Sequence, residues 1–75
     1  MRGTKEFQDV MNSFEKSLKS DYAGYIRGEV KRLDPHGRPV DGCPNDQFYG
    51  NGEINQMFKI FFLGYMSGRA EYMNR

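Results

Sequence analysis

Seventy-five residues with 11 basic and 10 acidic side chains, one cysteine and one histidine make one small domain of near-zero net charge. A core of this size supplies only about 3–5 kcal/mol, so helix packing, a disulfide, a metal or self-association is expected to reinforce it. Cys43 stands alone and excludes an internal disulfide, His36 stands alone and leaves too few soft ligands for structural zinc, and the net charge of +1 argues against wrapping a polyanion.

The start, "MRGTKEFQDV", is charged from its second residue and has no apolar signal core, which predicts a protein that is not exported through a cleaved signal peptide. Single-cysteine usage fits a reducing, cytosolic setting. The apolar stretch 54–66 is interrupted by Asn55, Gln56, Lys59 and Gly64 and falls short of the roughly 20 residues of a bilayer span. It reads as core or interface, with no membrane partner.

Residues 4–20 carry Phe7, Val10, Met11, Phe14 and Leu18 at helical spacing, with Lys5, Asp9, Asn12, Lys16 and Lys19 on the opposite face. Thr4 is the expected N-cap, and Glu6 and Asp9 suit the positive end of the helix. In residues 21–33 the positions Tyr22, Tyr25, Ile26, Val30 and Leu33 keep helical spacing, while Gly24 and Gly28 weaken a helix and leave an alternating strand pattern open. Helix is the preferred reading, ending before Pro35.

From residue 34 to 52 the chain holds all three prolines and four of the nine glycines, which predicts an irregular loop tacked down by Val40, Phe48 and Tyr49, with mobile parts around 36–42. Residues 53–73 form the second helix, capped by Asn51 or Gly52. Ile54, Phe58, Phe61, Tyr65 and Tyr72 lie on one stripe with Met57 and Phe62 beside it, while Ile60, Leu63, Met66 and Ala70 fall outside. A helix apolar over so much of its circumference must be covered on more than one side. The resulting fold class is all-α: a small helical hairpin or three-helix domain with a long irregular loop before the last helix.

Three constellations invite a chemical reading. Gly64 and Gly68, four apart beside Ser67, permit close approach of another helix, from the same chain or from a partner. His36 with Asp34, Asp41 and Cys43 matches no zinc spacing, and Asp46 occupies the place of the calcium-loop glycine when counting starts at Asp41, so no metal is expected. Arg27, Lys31, Arg32 and Arg38, interleaved with Tyr22 and Tyr25, offer an anion contact diluted by Glu29 and Asp34. Arg69 and Arg75 read as helix-end charges. No acid, base and nucleophile can be assembled, and the expectation is a non-enzyme without cofactors.

The order of "FEKSL", a glycine- and proline-rich loop and "YGNGEINQMFKIFFLGYMSGRAE" resembles small accessory proteins of tailed bacteriophages and prophages, on Phe14, Glu15, Tyr49, Phe58, Phe62, Gly68 and Arg69. The likeness spans about half the chain. Tryptophan, usual in the closing helix of such proteins, is missing here, and residues 21–33 have no counterpart. The resemblance implies a phage-host setting in the bacterial cytoplasm and carries no catalytic residues.

Together these features predict an interaction protein that binds and modulates a host protein through its aromatic last helix. The expected anchors are Phe58, Phe61, Phe62, Tyr65 and Met66, with Gly64 and Gly68 allowing close approach. The apolar excess also predicts a homo-oligomer, a dimer being the simplest. A nucleotide or nucleic-acid contact through Arg27, Lys31, Arg32 and Arg38 is the alternative.

Overall fold

Thr4 starts the first helix as its spacing predicts. The Phe7 backbone N–H donates to Thr4 Oγ1 at 3.2 Å, and the Gln8 N–H donates to the Thr4 carbonyl at 3.1 Å. The first of these bonds occupies one of the amide groups that a helix start leaves without intrahelical partners, and the second is the first rung of the helix ladder. The second helix is capped by Asn51, whose Oδ1 accepts from the backbone N–H groups of Glu53 at 2.9 Å and Ile54 at 3.1 Å.

The computed structural model describes residues 2–21 and 29–73. They form α1 (Lys5–Asp21) and α2 (Gly52–Met73) and no strand, so the fold is all-α. The helices run antiparallel, with Glu6 near the start of α1 bonded to Tyr65 late in α2. The predicted stripe of α1 is the core: Phe7, Val10, Met11, Phe14 and Leu18 are all buried, and Lys5, Asp9, Asn12, Lys16 and Lys19 are all exposed.

The expected helix over 21–33 lies mostly outside the described residues, but its end can be judged. Residues 29–33 are not helical. The Leu33 N–H donates to the Phe48 carbonyl and the Gly50 N–H to the Lys31 carbonyl, each at 3.0 Å, so Arg32 and Tyr49 pair as a single antiparallel bridge. Pairing with the far end of the loop satisfies these backbone groups in an extended conformation.

That bridge delivers Tyr49 and Phe48 to the helices. Tyr49 is fully buried, and Phe48 packs against the core. Phe58 of α2 sits at the centre of an aromatic cluster, with ring centroids 5.1–5.9 Å from Phe7, Phe14, Phe48, Tyr49 and Phe62. Most of these pairs meet edge to face, the arrangement that brings the positive ring edge onto a negative ring face.

The loop portion expected to be mobile is held by named bonds. Asp34 Oδ2 accepts from the His36 and Arg38 backbone N–H groups, both at 2.9 Å, and the Arg38 guanidinium pairs with the same carboxylate. These bonds, the Arg38 backbone N–H foremost, hold the Asp34 carboxyl below the usual carboxylate range. Gly37 follows with φ +75°, and a Cβ there would stand 2.3 Å from Phe7 Cε1. Only glycine accommodates both the left-handed backbone and the ring. Arg2 closes the arrangement, donating to the Gly37 and Asn45 carbonyls and lying 4.4 Å over the Phe48 ring.

Candidate docking surface on the second helix

One side of α2 is consumed by the core. Ile54 and Phe58 are buried, and Met57, Phe61, Phe62 and Tyr65 are half-buried against the cluster. Of the expected anchors, Phe58 is therefore corrected: with no exposed surface it contributes to folding and has none to offer a partner. Phe61, Phe62 and Tyr65 present only their outer edges. Met66 is exposed, and a Cβ added at Gly64 or Gly68 would meet nothing within 4 Å, so no described element packs on those glycines.

The exposed apolar surface comes instead from Ile60, at 65% exposure, and Leu63, at 67%. Both lie off the Ile54–Tyr72 stripe in the sequence, and that position was the available signal for outward orientation. With Met66 they follow a spacing of three along the outer side of the helix. From Ile60 to Gly68 no residue is charged. Lys59, at the near edge of this run, is held by Asp46 at 2.8 Å, and that contact lowers the Asp46 pKa.

Beside this face lie two separate hollows between the helices. One, of about 360 Å³, is lined by Phe14, Ser17, Leu18, Met57, Ile60 and Phe61. The other, of about 170 Å³, is lined by Glu6, Asp9, Val10, Ser13, Phe61 and Tyr65. Phe61 borders both. The serines explain the opening: short side chains on α1 leave room next to the bulky residues of α2. The Tyr65 hydroxyl donates to Glu6 Oε1 at 2.7 Å and fixes one end of the wall.

The anion-binding alternative fares differently residue by residue. Arg27 lies outside the described residues, and Lys31 is exposed. Arg32 turns inward, donating from Nε to Glu15 Oε2 at 2.6 Å and from its terminal nitrogens to Asn12 Oδ1 and the Pro35 carbonyl. Arg38 is engaged by Asp34. The guanidinium groups of Arg32 and Arg38 are thus spent on intrachain acceptors, and the described part of the cluster does not converge on one anion.

Glu15 also accepts from the Tyr49 hydroxyl at 2.8 Å, which ties the loop to α1 through one carboxylate. Burial first, and the neighbouring Glu15 second, push the Tyr49 phenol far above its ordinary value. The residues considered for a metal do not assemble either. Among the described residues no three His, Cys, Asp or Glu side chains are placed to hold an ion, and no helix is long and apolar enough to cross a membrane. Comparison with protein-family models, with curated proteins and with solved structures finds no match.

Proposed function

We propose that this chain is a small non-enzymatic interaction protein that docks a partner protein on the outer face of α2, in the phage-host setting implied by the resemblance and in the bacterial cytoplasm. The observation that supports it is the uncharged run Ile60–Gly68, with Ile60, Leu63 and Met66 turned outward on a helix whose inner side is already satisfied. Large apolar side chains left in water forgo about 1.5–3 kcal/mol each on full burial, and clustered on one helix face they mark a binding surface. The anchors are Ile60, Leu63 and Met66, supported by the outer edges of Phe61, Phe62 and Tyr65, with Gly64 and Gly68 admitting a close backbone. The partner in this reading is a host protein whose activity is modulated by the contact.

The test uses the immobilised chain in a bacterial lysate beside an Ile60→Ser/Leu63→Ser variant and a Lys19→Ala control. All three are first shown to keep the same helical circular dichroism and melting temperature. A protein retained by the wild type and the control but lost by the double variant is the expected result. Retention by all three would place binding elsewhere and sink the reading.

A further inference from the structure

The methionines divide between the core and the docking face. Met11 is fully buried, and its sulfur lies against Gly37, where an added Cβ would stand 3.1 Å from Sδ. Met57 is half-buried and lines the larger hollow beside Ile60 and Phe61. Met66 is exposed, about one helical turn on from Leu63, within the uncharged run Ile60–Gly68. Among the described residues, methionine exposure therefore rises from the core outward, and the most accessible one belongs to the surface assigned to docking.

A thioether differs from the side chains of Ile60 and Leu63 in being convertible to a polar group. Hydrogen peroxide or an organic hydroperoxide gives up one oxygen atom to it: the sulfur lone pair attacks the peroxide oxygen, the O–O bond breaks, and water or an alcohol leaves. Sulfur is oxidised by two electrons and the peroxide is reduced by two. The sulfoxide is uncharged but polar and chiral, and methionine sulfoxide reductases reverse it. At Met11 such a group would enter a sealed core. At Met66 it stands in water and leaves the fold intact.

We propose that Met66 is a reversible oxidation site that switches docking on α2 off, while Met11 stays reduced and the fold persists. The inference rests on the docking reading above and adds its regulation. Oxidation turns one of the outward apolar side chains Ile60, Leu63 and Met66 polar. A partner that covers this face must then strip water from the sulfoxide oxygen, and a buried acceptor without a donor is costly. The coupling runs both ways: a bound partner shields the sulfur, so oxidation strikes the free chain.

The experiment treats the full chain with hydrogen peroxide at neutral pH, quenches with free methionine and reduces cysteine products with dithiothreitol. Trypsin places Met11, Met57, Met66 and Met73 in separate peptides, so each sulfoxide is followed by mass spectrometry. Met66 is expected to oxidise about tenfold faster than Met11, with Met57 between them. Wild type and Met66→Leu are then each compared with their own untreated sample, at unchanged helical circular dichroism. The readouts are retention on a phenyl matrix and capture of the lysate protein that untreated wild type retains. Peroxide should make wild type elute earlier and cut its capture about fivefold. Methionine sulfoxide reductases should restore both, and Met66→Leu should show neither change. Oxidation of Met11 as fast as Met66 would overturn the inference. Met66 oxidation with unchanged capture would overturn the switch and leave docking standing. Equal losses in wild type and Met66→Leu would overturn the assignment to Met66. An untreated chain that captures no protein would overturn the docking reading, and the switch with it.

Discussion

Replacing Phe58 with leucine and Ile60 with serine tests which way α2 faces, because both are large apolar side chains of that helix and one is buried while the other is exposed. Phe58 is fully buried and touches five other aromatic rings. Truncation to alanine would cost about 3–5 kcal/mol, as much as a core of this size supplies, and would unfold the domain. Leucine keeps part of the volume and loses the ring edges, so a cost of about 1–2 kcal/mol is expected. For a chain of this length that corresponds to a fall in melting temperature of roughly 5–15 °C. Ile60, two-thirds exposed, should change stability by less than about 0.5 kcal/mol when replaced by serine. Thermal melts and urea titrations followed at 222 nm give both numbers. Were Ile60→Ser the costlier change, α2 would be rotated about its axis relative to the arrangement described, and the docking face would have to be reassigned.

Two further outcomes follow from the loop. Tyr49 retains its proton in the folded state at pH values where an unfolded tyrosine, near pKa 10, has lost it, so its contribution is complete below about pH 10 and declines above it. Tyr49→Phe should be less stable than wild type by about 1 kcal/mol at pH 7 for want of the Glu15 hydrogen bond. That gap should narrow by up to about 1.4 kcal/mol per pH unit above pH 10; urea midpoints at pH 7, 10 and 11 that keep a constant difference would contradict the burial of the phenol. Gly37→Ala adds a Cβ against Phe7 to an unfavourable backbone and should cost about 2–4 kcal/mol, whereas Gly42→Ala, at φ +84° with open space around it, should cost only about 1–2 kcal/mol. Equal denaturation midpoints for the two alanine variants would show that Phe7 does not pack on Gly37.

The first helix was legible because its pattern is one-sided: five apolar residues on a charged helix admit a single orientation, and all five are buried. The second was legible as a helix and misleading as a surface. Apolar residues around most of its circumference left its rotation undetermined by pattern, so Phe58 was expected to meet a partner although neighbours from both helices and the loop enclose it. Ile60 and Leu63 were visible as off-stripe residues, but assigning them outward required knowing where α1 and the loop lie. In the described part of the basic cluster, two side chains have acceptors within the chain. Arg32 was judged by its neighbours in sequence, whereas it finds Glu15, 17 positions away; the acceptor of Arg38 is Asp34, which the sequence already showed as a diluting charge. The glycine at 37 reads as generic loop composition until Phe7 is placed above it.

The irregular segment 29–51 has a consequence for how the domain reaches its native state. Its aromatic residues occupy the centre of the core, and the bonds around them span long stretches of chain: 17 residues from Arg32 to Glu15 and 34 from Tyr49 to Glu15, while the helices are joined across 59 residues from Tyr65 to Glu6. A pair of helices that docked first would enclose a space still lacking Phe48 and Tyr49. Folding must therefore close distant contacts together, which makes it slower than in helical proteins assembled from neighbouring turns. The entropy of closing the loop grows only with the logarithm of its length, so shortening the loop offers little in return. A chain cut between residues 41 and 46 would divide this core between two pieces, each with one helix, and structure would return only when the pieces are mixed.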